Sequence, residues 1–450
     1  MSIWVREKKF YTTFLWLTLI IGLQNLISLG VNLSDNVMLG GYSQTALSGA
    51  ALANQIQFLL HMMVMGACEG LVILGARFWG GKKLEGLRKA AGVGMVLALG
   101  LSITLGAVVF VFPHEVLSLF TDDAAVIAEG AQYLVIICWS YVFFAVTNTI
   151  LALLRSVETV RIGFLVSLST LCINVLLNYA LIYGNLGFPE LGISGSAYAT
   201  LTARVVECGI VIWYLVKYDR KTGMKLSGFF TIDKPMFRQY LAIGYPILLS
   251  NSIWGLAMAA QTAVLGHMGE AAIAANSIAN TIFQLVTVII YASASATAVC
   301  IGKTIGEGGP GKVKAYAKTL QMLYLLLGLL TGLLLFMIKD FVIEWYSISG
   351  EARSLALQFM TILSITVIGT AYQMPALTGI VRSGGDTKFV LYNDFIFMWL
   401  VVLPASALGA FVFELSPAAV FICLKSDQIL KCFVAVVKVN RFRWIRAFES

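Results

Sequence analysis

Charge is scarce in this sequence. Only 12% of its 450 residues are Asp, Glu, Lys or Arg and 59% are hydrophobic, with a mean hydropathy of +0.86, whereas soluble domains carry roughly a quarter charged residues. A composition this apolar excludes an ordinary water-soluble protein. Histidine is scarcer still. His61, His114 and His267 stand apart from any paired nucleophile, so no Ser/His/Asp hydrolase can be assembled. The seven cysteines form an odd set without metal-ligand spacing, which implies neither a disulfide framework nor a zinc site and reads as buried, inert thiols. Period-two alternation is absent as well. Continuous apolar runs of helix length exclude a β-barrel, whose strands alternate apolar and polar residues.

What the sequence has is apolar runs. Twelve spans of ~20–25 residues use roughly 240–300 positions and leave short loops. Twelve runs can be placed, at about 12–38, 46–73, 90–112, 124–153, 162–184, 193–216, 237–266, 270–301, 316–338, 354–380, 389–412 and 417–437. The first follows Arg6, Lys8 and Lys9, yet it continues to Asp35 without a small-residue cleavage site, so it is read as a helix and not as a signal peptide. The expected fold class is an all-α polytopic membrane protein.

The net charge of +8 is a matter of placement. Of 31 Lys and Arg, 26 fall in the N-terminus, the C-terminal tail and alternate gaps between runs, as in Arg77, Lys82, Lys83, Arg88 and Lys89, while Glu115, Asp122, Asp123 and Glu190 occupy intervening gaps. By the positive-inside rule both termini are cytoplasmic, which requires an even number of spans. The basic charge therefore sets orientation and does not point to nucleic acid.

The chain also repeats. Leu39-Gly40, Ala46, Ala53-Asn54 and Ile56 recur at Leu265-Gly266, Ala272, Ala279-Asn280 and Ile282, each displaced by 226 residues, and Asn25 pairs with Asn251 in the same way. Leu154-Arg155-Ser156 returns as Val381-Arg382-Ser383 one residue later. A six-helix unit duplicated in parallel predicts two pseudo-symmetric six-helix lobes around a central cavity, the plan of rocker transporters. The expected division is an N-lobe over 1–217, a cytoplasmic linker over 218–236, and a C-lobe with its basic tail over 237–450.

One segment imitates a nucleotide site. Gly306-Glu307-Gly308-Gly309-Pro310-Gly311-Lys312-Val313 matches a phosphate loop up to its last position, where Val313 stands in place of the magnesium-binding Ser or Thr, and no strand precedes it. It is read as a turn. Energy then comes from an ion gradient or from substrate.

The informative residues are polar groups inside apolar runs, where a carboxylate costs ~2.5–3.5 kcal/mol on insertion scales and marks function. Asp35 is the strongest, flanked by Asn32 and Asn36; the competing reading makes it an interfacial cap for the next segment. Its repeat counterpart, Gln261, cannot titrate. Asn174 and Asn178 stand i, i+4 on one face of the fifth span. Their carbonyl oxygens suit a hard cation or a protonated carboxyl, although paired Asn also glue membrane helices together. Thr200 adds a hydroxyl, and the four together would suit a proton or Na⁺. Arg204 and Glu207, i, i+3, read as a structural ion pair near the cytoplasmic end of the sixth span. Glu69 and Arg77, about 12 Å apart along one helix, are too distant to pair directly and read as interfacial. Phe58, Met62 and Met65 are candidate lining for a drug cavity, because Met adapts to varied shapes; the other reading is packing against lipid.

These residues also resemble a family. Asn32-Leu33-Ser34-Asp35-Asn36-Val37-Met38-Leu39-Gly40, Phe78-Trp79-Gly80, Asn174-Val175-Leu176-Leu177-Asn178-Tyr179, the run from Gly192 to Thr200, and Arg382-Ser383-Gly384-Gly385-Asp386-Thr387 together look like the multidrug and toxic compound extrusion (MATE) transporters of bacterial type. The resemblance covers both halves in order. It implies twelve helices in two lobes and export of organic cations or other amphipathic drugs and toxic compounds across the cell membrane, in exchange for H⁺ or Na⁺. It also implies a monomer among membrane lipids, with no cofactor and no enzymatic activity. Asp35 matches the family's first-helix carboxylate, and Asn174, Asn178 and Thr200 its partners, which are the candidate Na⁺ ligands. Some relatives carry a second Asp at Asn178. NorM-like relatives carry a helix-seven Glu and a helix-ten Asp where this chain has Trp254 and Ala371, which argues against a cation site in the C-lobe. The usual first-helix Pro is Ile20, so a bend there needs another hinge, Gly22 or Gly30. Two other functions fit less well: flipping of a lipid-linked or polar substrate on the same scaffold, and an integral-membrane enzyme with Asp35 or Glu207 as base, for which no joint motif exists.

Overall fold

The computed structural model describes residues 5, 7–231, 233–344, 346 and 348–445, with the side chain of Glu270 left aside. Arg6 and Arg446, two of the orienting basic residues, lie outside the described residues. No strand occurs among the described residues. Long helices follow the twelve apolar runs: α1 Lys8–Tyr42, α2 Gln44–Gly80, α3 Leu84–Val111, α4 in two pieces (Ala124–Ile137 and Ser140–Ser156), α5 Arg161–Ile182 and α6 Gly192–Lys217. The second half contains α7 Lys234–Gly266, α8 Glu270–Gly306, α9 Pro310–Ile343, α10 from Gly350, α11 from Thr387 to Phe411, and α12 in two pieces, Pro417–Lys425 and Asp427–Asn440.

Ten helices among the described residues are long and apolar enough to cross a membrane, and α4, bent by 50° at its break, raises this to eleven. α12 falls short because Lys425, Asp427 and Lys431 put three charges into its run. The solvent of these helices shows in what they leave uncovered. Leu326, Leu329, Leu330 and Leu333 of α9 each expose more than half their area, an apolar face of the kind a bilayer accommodates.

Local sequence explains several ends and breaks. Ser43 caps α2 by accepting from the Ala46 amide. α8 stops at Gly306, Gly308 takes a left-handed φ of 73°, and Pro310 opens α9; the phosphate-loop imitation is a helix-to-helix turn. α10 loosens into a π-helical stretch over Pro375–Val381, where Pro375 lacks the amide a regular turn needs, and α11 does so over Ile396–Val402.

The chain divides into two compact units, one made of residues up to Gly22 together with those from Leu249 onward, the other of Leu23–Leu248. The boundaries fall inside α1 and α7, at positions separated by the repeat offset of 226. In the first unit, the N-terminal half of α1 packs Phe10 on Tyr316, ring centroids 4.2 Å apart. Tyr316 Oη donates to Glu7 Oε2 at 2.8 Å and Lys312 Nζ lies 3.5 Å from Glu7 Oε1, and together they hold the Glu7 carboxyl below its usual range. In the second unit, the first half of α7 is held by Tyr240, fully buried, whose hydroxyl donates to the Ala67 carbonyl at 2.5 Å. Gly66 lets Leu248 approach so closely that a Cβ would lie 2.9 Å from its Cα. The 218–236 segment docks on the same unit, with Arg88 Nε donating to Thr222 O at 2.8 Å and Lys221 Nζ to Val157 O at 2.9 Å.

Candidate functional site

α1, α5 and α6 bring four of the predicted residues together. Asp35 retains 8% exposure, Thr200 6%, and Asn174 and Asn178 none. Asn178 Nδ2 donates to Asp35 Oδ1 and, at 3.1 Å, to Asn174 Oδ1, while Asn174 Nδ2 donates to Thr200 Oγ1 at 3.1 Å. The i, i+4 spacing aligns the two amides, and neighbouring glycines close the helices around them. A Cβ on Gly195 of α6 would lie 2.5 Å from Leu181 O of α5. Tyr183, just past α5, donates to Met38 O at 2.7 Å and ties down the C-terminal end of α1.

The cluster has one open acceptor. Asn178 Oδ1 is buried without a hydrogen-bond partner. A donor, a proton or a cation satisfies such an atom, and without one its burial costs about 1–3 kcal/mol.

Two neighbours were not assigned to this cluster from the sequence. Tyr133 of α4 is buried in the neighbourhood of Thr200 and Asp35. Arg204 supplies positive charge felt at Asp35. Arg204 Nη1 and Glu207 Oε2 do pair, at 2.7 Å. The pair lies midway along α6 and not near its Lys217 end, and Arg204 also stacks 5.2 Å over the Phe144 ring. A tyrosine in an apolar run carries no pattern that separates it from core, so Tyr133 emerges only from tertiary packing.

Arg77 is buried against the protein at the end of α2. Glu69 interacts instead with the charge of Arg155 from α4. Phe58 is exposed and Met62 and Met65 are partly buried. Trp254 on α7 is partly buried and Ala371 on α10 fully buried.

The C-terminal helices hold a second polar cluster, passed over in the sequence. Asp394 of α11 lies 3.0 Å from Lys431 Nζ and 4.0 Å from Arg382 Nη2, and accepts from Ser250 Oγ at 2.8 Å. Asp427 lies 3.3 Å from the same Lys431. The signal was available: charges at i, i+4 inside the last apolar run are costly unless paired. Among the described residues no group of three or more His, Cys, Asp or Glu is arranged to hold a metal ion.

The MatE family profile matches residues 21–180 and 246–408, most of the chain and both repeats. A probable multidrug resistance protein NorM from Listeria innocua is 26% identical over 421 residues, covering 90% of this chain and 89% of that protein. A multidrug resistance protein MdtK from Yersinia pestis is 22% identical over 417 residues, covering 92% and 90%. Among solved structures, a MOP superfamily transporter from Pyrococcus furiosus superposes with a TM-score of 0.87 at 18% identity, covering 96% of this chain and 95% of that one. An outward-facing multidrug resistance MATE family transporter gives 0.85 at 20% identity with the same coverage. These structural likenesses bear on the fold, and the profile on descent. The chain belongs to the MatE family of multi-pass membrane transporters.

Proposed function

We propose that this protein is an ion-coupled antiporter of the plasma membrane that exports amphipathic organic cations, with Asp35 as the group that binds the coupling ion. One observation carries the reading: a buried carboxylate in α1 whose partners are neutral amides and a hydroxyl, beside an open amide oxygen. A carboxylate so placed is costly while charged, and binding of a cation or proton removes that cost. The proton is the better fit. It needs one oxygen, whereas Na⁺ needs several, and the Asn174 carbonyl and Thr200 hydroxyl oxygens already accept hydrogen bonds.

In the cycle, charged Asp35 favours the state that holds a cationic substrate, and protonation from outside favours the state that releases it. The ion shifts the equilibrium only by its differential affinity for the two states. The moving bodies are the two compact units, which correspond to the repeats 1–217 and 237–450 with the first halves of α1 and α7 exchanged, joined through 218–236, with both termini cytoplasmic. Gly22, where the compact units divide α1, replaces the missing proline as hinge. Both repeats belong to one chain, so the monomer is the working unit, surrounded by lipid.

The test is efflux of an organic cation from proteoliposomes under a pH gradient alone and a Na⁺ gradient alone. Wild type is expected to respond to the pH gradient, and Asp35→Asn to neither, while still reconstituting as folded protein. Full gradient-driven efflux by Asp35→Asn rejects the site. Efflux driven only by Na⁺ rejects the proton.

A further inference from the structure

The segment that joins the repeats carries a built element. In the second unit Leu226–Phe230 forms a 3₁₀ turn, seated on α3 at Gly92, where a Cβ would lie 3.0 Å from both Gly228 O and Thr231 O. Gly92 stands eight residues, about 12 Å, beyond the start of α3. The turn is therefore level with the beginning of the third apolar run. Phe229 is turned inward, 2% exposed, while Leu226 and Phe230 leave 44% and 67% of their area uncovered.

The linker leaves α6 from a second marker of that level. Tyr218 sets its ring 5.0 Å from Trp213 and 6.0 Å from Tyr214, and Trp213 and Tyr218 are more than half exposed. Such amphipathic rings collect where headgroups meet acyl chains. Charge completes the surface. Lys217, Arg220, Lys225 and Lys234 are exposed, and among the described residues no carboxylate lies within ion-pair distance of them. The linker's own acids are engaged: Asp219 accepts from the Lys221 amide at 3.1 Å and from the Thr222 hydroxyl, and Asp233 accepts from the Met236 amide at 3.1 Å with Lys89 Nζ 3.7 Å away. Uncovered apolar side chains beside unpaired cations match the two parts of an anionic lipid, its chains and its phosphate.

We propose that the Leu226–Phe230 turn is a docking site for anionic phospholipid of the cytoplasmic leaflet, with Leu226 and Phe230 entering the acyl boundary and the flanking Lys225 and Lys234 holding the headgroup phosphate. Loop charge puts this end of the unit on the cytoplasmic side. At this level a lipid is in place by default, whereas a soluble protein or a second copy of the chain would have to displace it. The site stands apart from the Asp35 cluster.

The test uses full-length protein with its seven cysteines replaced and a bimane fluorophore on Ser227→Cys, an exposed position inside the turn. It is placed in phosphatidylcholine nanodiscs doped with brominated phosphatidylglycerol or, at the same fraction, brominated phosphatidylcholine. Brominated chains quench a fluorophore they touch. Both lipids are expected to quench, the anionic one more strongly, with each cation adding about fivefold to its local enrichment. Lys225→Gln/Lys234→Gln should make the two lipids quench equally, whereas Lys82→Gln/Lys83→Gln on the α2–α3 turn should keep the preference. Four results overturn the proposal. No quenching by either lipid leaves the turn in water or under a protein partner. Equal quenching in the labelled parent removes headgroup selection. A preference lost equally in the Lys82/Lys83 variant assigns it to the general field of that face. A preference erased by inorganic phosphate at matched ionic strength assigns the cations to a free anion. None of these measurements needs a gradient or a substrate, so the lipid site and the export reading fail separately.

Discussion

Polar side chains are so few inside these helices that each must be satisfied or used. Thr200 accepts from Asn174 at 3.1 Å. Thr200→Val removes that acceptor while keeping shape, and should cost about 1 kcal/mol in thermal unfolding, with the pH dependence of efflux displaced as well; an unchanged pH profile would place Thr200 outside the coupling group. Lys431 is the opposite case, a cation with two acidic partners. Lys431→Met should destabilise by about 3–5 kcal/mol, since it leaves buried carboxylates unpaired. Adding Asp427→Asn should recover part of the loss, measured by melting in nanodiscs. Asp35 and the Asn174/Asn178 pair stood out in the sequence because they interrupt apolar runs. Lys425, Asp427 and Lys431 interrupt one too, but a run assigned only by its average hydropathy hides them.

Among the elements, the first helix of each repeat is divided between the compact units. The halves are anchored differently: Tyr240 hydrogen-bonds Ala67, whereas its repeat mate Phe14 is buried without a hydroxyl. Tyr240→Phe should lower stability by about 1 kcal/mol and leave Asp35-dependent coupling in place, read by melting and by efflux. The Glu7 tie to Tyr316 and Lys312 depends on a lowered carboxyl pKa. It is therefore present at neutral pH and is lost as pH falls through that lowered value. Glycines set the tightest approaches. A Cβ on Gly369 of α10 would lie 2.3 Å from Gln428 O of α12, so Gly369→Ala should destabilise by about 1–3 kcal/mol in the same melting assay. The helices and their ends were legible from hydropathy, Ser43 and the Gly-Pro turn. The break in α4 and the π-helical stretches were not, because they answer to neighbours that hydropathy does not name.

For the molecule as a whole, orientation follows from loop charge. In cells producing a variant with its seven cysteines replaced, Lys83→Cys on the α2–α3 turn should resist a membrane-impermeant maleimide, and Asp122→Cys on the α3–α4 loop should react with it. The reverse pattern would invert the topology and, with it, the side from which Asp35 takes its ion.

The sequence by itself determined the solvent, the number of apolar runs, the duplication and the rare polar residues worth watching, because each is a property of composition or spacing along the chain. Tertiary structure alone decided that Asp35, Asn174, Asn178 and Thr200 share hydrogen bonds, and that Lys431 pairs with both Asp394 and Asp427. It also decided that α1 and α7 divide at Gly22 and Leu248. Which charges neutralise one another depends on distances between helices far apart in sequence, and no periodicity along one helix encodes those distances.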